Sequence, residues 1–161
     1  MEQGKLVLHL LKERIKLLSE LKNLLMQQQK VLVTSDTEQI TYFAELQVKC
    51  MENIQTLEEE LRGIISEVKV AHNLKSHTID QAISMILDET GNNFYFAYRD
   101  QLRKLASEIE VIKKNNTLLI HNALGLVQST LKHLHGGRLP DAVYHPGKKQ
   151  AMGHLLLNKT L

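Results

Sequence analysis

The sequence predicts an all-α fold: an antiparallel hairpin of long helices packed with a short helix and a long C-terminal helix, an elongated helical bundle followed by a flexible C-terminal tail. Three observations predict it. No proline occurs before Pro140, and a proline inside a helix costs about 3 kcal/mol, so a long proline-free stretch is what long helices require. The apolar pairs Leu10/Leu11, Leu17/Leu18, Leu24/Leu25 and Val31/Leu32 recur every seven residues, the spacing of a packed helical seam. Gly136-Gly137 then closes the periodic body. Residues 1–137 are accordingly assigned to a helical bundle domain and residues 138–161 to a flexible basic tail.

Each element has its own signal. The first helix covers residues 3–34, where Val7, Leu8, Ile15 and Leu21 widen the leucine stripe and Gln27-Gln28-Gln29 dilutes it without ending it. Ser35 and Glu38 form a Ser-x-x-Glu capping pattern that opens a second helix over residues 36–71, and so short a break makes the two helices antiparallel neighbours. That helix has the cleanest seam: Ile40, Gln47, Ile54, Leu61 and Val68 on one row, with Phe43, Cys50, Leu57, Ile64 and Ala71 on the other. At 1.5 Å per residue it is roughly 50 Å long. Gln47 is the polar seam residue, either a register device or a partly exposed position. Residues 72–77 connect to a second capping pattern, Thr78 with Gln81, and a short helix through Ile79, Ala82, Ile83, Ile86 and Leu87. The turn-rich Glu89-Thr-Gly-Asn-Asn93 is expected to end it. A last long helix then runs from about Phe94 to His135 and is stopped by Gly136, with Leu102, Leu105, Ile109, Ile112, Leu119, Ala123, Leu126 or Val127, and Leu134 facing inward.

Composition narrows the function. With 161 residues, 43% hydrophobic content, 4% aromatics and no tryptophan, the chain fits one domain with an aliphatic core, better suited to packed helices than to a deep ligand pocket. The lone Cys50 excludes an internal disulfide framework, and its seam position between Phe43 and Leu57 predicts a buried, inert thiol. No apolar run of about 18 residues is present to span a bilayer, so no stable membrane insertion is expected. Lys12, Glu13 and Arg14 interrupt the first apolar stretch too soon for a signal peptide, which makes the cytoplasm the expected compartment.

Charge is unevenly placed. Residues 1–34 carry six Lys/Arg and three acids, a net of +3; residues 35–71 carry three and eight, a net of −5; residues 94–137 carry six and three, a net of +3. Opposite signs on successive helices favour packing them side by side. The tail holds Arg138, Lys148, Lys149 and Lys159 against Asp141, again +3. Because the bases are scattered and Tyr42, Phe94, Tyr95, Phe96 and Tyr98 form no basic-aromatic platform, no nucleic acid partner is expected. The eight histidines lack metal-ligand spacing, His133 and His135 pointing in different directions two residues apart. There is no phosphate loop and no nucleophile elbow, and Glu58-Glu59-Glu60 reads as a solvated face. The chain is read as a non-enzyme without cofactor or metal.

What remains is apolar surface. The last helix carries Leu118, Leu119, Ile120, Ala123, Leu124, Leu126, Val127, Leu131 and Leu134 over an unusually wide arc. Two readings are open: a groove for an amphipathic partner helix, or a face covered by the short helix or by Leu155-Leu156-Leu157 of the tail.

Asn115-Asn116-Thr117-Leu118-Leu119, the aliphatic row up to Leu134, and the tail motif Val143-Tyr144-His145-Pro146-Gly147 together resemble the FlgN family of flagellar export chaperones. Leu57-Glu-Glu-Glu-Leu-Arg62 is similar to that family's second helix. The resemblance implies a cytoplasmic type III export chaperone that binds the amphipathic terminal helices of hook-associated flagellar proteins, prevents their premature assembly and delivers them to components of the flagellar export gate. Carried over by residue, it places substrate binding at Asn115, Leu118, Leu119, Leu124, Val127 and Leu131, and export-gate binding at Tyr144. The chain departs from the family pattern in residues 148–161, whose Leu155-Leu156-Leu157 could compete with substrate for the groove. The alternative from a different class is a structural coiled-coil scaffold or homo-oligomerisation protein, and whether the first two helices pair within the chain separates the two.

Overall fold

The computed structural model describes residues 2–74 and 78–134, which form four α-helices and, among the described residues, no strand: α1 (Glu2–Thr34), α2 (Thr37–Ala71), α3 (Ile79–Ile86) and α4 (Glu89–Leu134). The chain divides into two compact units, Met1–Asn116 and Thr117–Leu161, and the division falls inside α4. The expected boundary at residues 137/138 lies outside the described residues.

Cross-helix contacts fix the directions in the first unit. Arg14 pairs with Glu58, and the Cys50 thiol donates to the Leu17 carbonyl at 3.3 Å. Partner numbers in α2 fall as those in α1 rise, so α1 and α2 are antiparallel as expected. The α4 partners rise instead: Lys22 Nζ lies 2.8 Å from Glu108, and Asn116 Nδ2 donates to the Leu25 carbonyl at 2.9 Å. Thus α4 runs parallel to α1. The Arg14–Glu58 pair also joins the cationic first helix to the acidic second, so Glu58 is not simply part of a solvated face.

Buried positions follow heptad spacing. On α1 they are Gly4, Val7, Leu11, Leu21, Leu25 and Gln28, with Leu10 beside them; steps of three and four residues keep one stripe facing its neighbours. On α2 they are Cys50, Ile54, Leu57, Leu61, Ile65 and Val68, close to the expected seam, although Ile65 rather than Ile64 is the buried member and Ala71 is exposed. On α4 the stripe runs Gly91, Tyr95, Leu102, Leu105, Ile109 and Asn116. One core cluster draws on all four helices through Val7, Leu11, Leu57, Ile83, Tyr95 and Leu102. A second joins Leu21, Leu25, Cys50, Ile54 and Ile109, and a small third packs Val68, Leu74 and Ala82.

The helix ends differ from expectation in two places. Ser35 does not cap α2: it adopts a left-handed conformation, φ 57, in the turn that closes α1, whereas an N-cap requires extended backbone. Asp36 takes that role with φ −78 and ψ 95, its carboxylate accepting from Gln39 N at 3.0 Å. The expected turn over residues 89–93 is the second correction, because α4 already begins at Glu89. Asp88 accepts from Gly91 N at 2.6 Å, and Asn92 Nδ2 donates to the Ser84 and Leu87 carbonyls, two acceptors at the end of α3. Turn-favouring residues are thereby converted into a helix start.

The other ends behave as read or extend the reading. Thr78 and Gln81 form the expected capping box. Past α2, Asn73 takes φ 55, Leu74 N donates to Lys69 O at 2.8 Å and Asn73 N to Val70 O at 3.3 Å. This is the paired-bond closure in which a left-handed residue ends a helix, and the buried Leu74 packs against Val68.

Candidate functional site

The site begins where the packed part of α4 ends. Asn116 is 3% exposed and donates to the Leu25 carbonyl and, at 3.3 Å, to Gln28 Oε1. The two bonds from the Asn116 amide nitrogen form in only one alignment of α4 against α1, because a slip by one turn takes that donor away from both acceptors, while Asn116 Oδ1 is itself buried without a hydrogen-bond partner. Asn116 thus sets the register of α4. The neighbouring Asn115, the expected binding residue, is exposed.

From Thr117 to Leu134, within the second unit, α4 is exposed throughout except at the half-buried Leu119. Leu118, Leu124, Val127 and Leu131 are exposed, and so are Ile120, Leu126 at 71% and Leu134 at 76%. At 100° per residue, Leu126, Leu119, Ala123, Leu134, Val127, Ile120, Leu131 and Leu124 occupy one apolar arc of about 160°. Asn115 lies at the edge of that arc beside Leu119, while Leu118 falls about 120° round the helix from Leu124. Five of the six expected binding residues therefore share a face and Leu118 stands apart. The segment Thr117–Leu134 has no Asp or Glu; Lys132, His121 and His133 supply its ionisable side chains. Tyr144 and the tail segment Leu155–Leu157 lie outside the described residues.

Elsewhere the polar chemistry fastens helices together. The Tyr95 hydroxyl donates to Asp80 at 2.6 Å, and Arg99 pairs with Asp80 and lies over the Phe96 ring, 5.0 Å from its centroid. Burial first, and then the bond to Asp80, push the Tyr95 phenol well above its ordinary value. Burial also raises the Cys50 thiol, helped by the negative charge of Glu20, which disfavours the thiolate a nucleophile needs. Among the described residues no set of three His, Cys, Asp or Glu side chains is placed to hold a metal ion.

The hydrogen bond from Lys22 holds the Glu108 carboxyl below its ordinary range. A carboxylate depressed in the folded state contributes stability that is present above its unfolded value and lost as pH falls through its folded one. Glu108→Gln is therefore expected to flatten the acid limb of the stability curve. Urea midpoints measured across that limb check it, and an unchanged limb would remove Glu108 as a contributor.

Sequence reasoning selected Asn115 and passed over Asn116 and Gln28. The available signal was spacing: Asn116 follows Ile109 and Ile112 by steps of three and four, as Gln28 follows Leu21 and Leu25.

The described residues thus define an all-α helical protein in which α1, α2, α3 and the first part of α4 share a core and the last part of α4 is an exposed aliphatic face. Since α1 and α2 pair with one another, their seams do not serve a coiled-coil scaffold. A family model described as FlgN protein matches residues 1–151. The chain belongs to the FlgN family, the flagellar export chaperones, a family of chaperones rather than enzymes. No curated protein and no solved structure matches the chain. Among the described residues no helix is long and apolar enough to cross a membrane.

Proposed function

We propose that this chaperone acts in the cytoplasm on hook-associated flagellar proteins, burying their amphipathic terminal helices against α4 and handing them to the export gate. The exposed aliphatic arc between Leu119 and Leu134 is the observation that carries this reading. A subunit that assembles through apolar terminal helices would self-associate early, and a partner that covers those faces prevents it. Ordering the client helix on binding lowers net affinity and helps release. Asn115, Leu119, Leu124, Val127 and Leu131 are assigned to the client surface, Leu118 to its margin on the neighbouring side of α4, and Tyr144 to the export gate.

Co-purification tests both assignments. Leu119→Asp with Leu124→Asp is expected to abolish capture of hook-associated proteins while helical content is kept; undiminished capture would move the client site elsewhere. Tyr144→Ala is expected to weaken contact with export-gate components and leave client capture intact. Loss of both together would give the tail a different role.

A further inference from the structure

We infer that the closed end of the α1–α2 hairpin, residues 29–49, opens and closes as a unit of its own, and that buried amides at Gln28, Gln47 and Asn116 form the boundary at which the opening stops. The inference is independent of which client the protein carries.

The first observation is where burial ends. Gln28 is the last buried residue of α1, Cys50 the first of α2 and Asn116 the last of α4. These ends lie close to one level, because Asn116 bonds to Leu25 and Gln28 and Cys50 shares a cluster with Leu21, Leu25 and Ile109. Beyond that level no residue from 29 to 49 is buried: Val31, Leu32, Ile40, Phe43 and Leu46 are half-buried, and Val33, Tyr42 and Val48 are exposed. The compact unit that holds the hairpin ends at Asn116, so within it residues 29–49 are a two-helix hairpin without a third helix. Helices in proteins owe most of their stability to packing an apolar face, and this end of the hairpin has less of that packing than the same helices have below.

The second observation is how the helices are fastened. Below the boundary, side chains tie one helix to another: Arg14 to Glu58, Lys22 to Glu108, and Cys50 to the Leu17 carbonyl. From 29 to 49 the side-chain hydrogen bonds stay local, from Thr34 to Val31 O, from Gln39 N to Asp36 and from Thr41 to Thr37 O. The turn between the helices holds Ser35 at φ 57, a left-handed conformation unfavourable for a residue other than glycine, so the closed turn carries strain that opening releases.

The third observation is the boundary itself. Asn116 Oδ1 and Gln47 Nε2 are both buried without hydrogen-bond partners. Gln47 stands three residues beyond Cys50 towards the turn, as Gln28 stands three beyond Leu25. An orphaned amide atom costs free energy while the end is closed, and water satisfies it once the end opens. The aliphatic layers below gain nothing from water and lose burial. Opening is therefore favoured as far as the amides and opposed past them, which is the condition for a contiguous segment with its own opening free energy.

Native-state hydrogen exchange on the full chain, followed as urea is raised, tests this. Amides of residues 29–33 and 41–46 are expected to exchange alike, at least about tenfold faster than those of 10–21 and 54–65 after correction for intrinsic rates. Their urea dependence is expected to be weaker, because a small opening exposes little surface. Equal protection and equal urea dependence in the two sets would overturn the separate unit, and so would unlike protection on the two sides of the turn. Two variants test the boundary: Gln47→Leu alone, and Gln28→Leu together with Asn116→Leu, which replaces both partners of the side-chain amide bond. Each continues the aliphatic core across the level, and each is expected to slow exchange at the closed end about tenfold relative to the core. Slowing in either one supports the amide boundary; a ratio unchanged in both would overturn it.

Discussion

Gly4→Ala is expected to destabilise the protein while Gly63→Ala stabilises it, although both glycines lie in long helices. Helix propensity alone favours alanine over glycine by about 1 kcal/mol at an interior position. At Gly63 nothing lies within 4 Å of the added Cβ, so about 0.5–1 kcal/mol of that gain should appear. At Gly4 the added carbon would sit 2.5 Å from the Ile86 carbonyl oxygen and 2.9 Å from Leu87 Cδ2. The nearer atom is backbone at the end of α3, so relief requires moving a helix rather than rotating a side chain. Overpacking of this kind costs about 1–3 kcal/mol, enough to reverse the sign of the propensity gain. Gly4→Val, with a branched Cβ, is expected to cost more. Urea midpoints for the three variants decide the matter: a Gly4→Ala midpoint raised like that of Gly63→Ala would mean that α1 and α3 do not approach this closely.

The α2 seam was legible because its signal is local. Cys50, Ile54, Leu57, Leu61 and Val68 are spaced by the helical repeat, and the same repeat buries them. Thr78 and Gln81 were legible for the same reason, both halves of the cap lying within one turn. Ser35 failed because two overlapping patterns compete, Ser35 to Glu38 and Asp36 to Gln39, and the left-handed backbone at Ser35 decides between them. Glu89–Asn93 failed because the bonds that make it helical reach back to α3, through Asn92 to Ser84 and Leu87, so packing overrides the turn preference. The exposed arc of α4 was visible as an excess of apolar residues, but pattern alone did not separate an open face from a covered one. Leu118 was grouped with that arc by proximity in sequence, and the helical repeat puts it on another side.

The largest effect of a single substitution is expected at Asn116, where Asn116→Asp places a carboxylate where an amide now donates. The site is 3% exposed, and the two groups facing the amide nitrogen, Leu25 O and Gln28 Oε1, are both acceptors. An uncompensated buried charge costs about 3–5 kcal/mol, against about 1–3 kcal/mol for leaving Gln28 unsatisfied in Asn116→Ala. The aspartate should therefore be the more damaging variant at neutral pH despite its closer shape. Its pH dependence distinguishes it further. Burial raises the folded value of such a carboxyl above its unfolded one, so the penalty is fully present above the folded value and shrinks as pH falls. Once protonated, the acid regains a hydrogen to donate to Gln28. Asn116→Asp should thus gain stability relative to the parent protein on acidification, and Asn116→Ala should track the parent at every pH. Paired urea titrations read this directly, and a pH-independent gap for the aspartate would mean that residue 116 reaches water and does not set the register of α4.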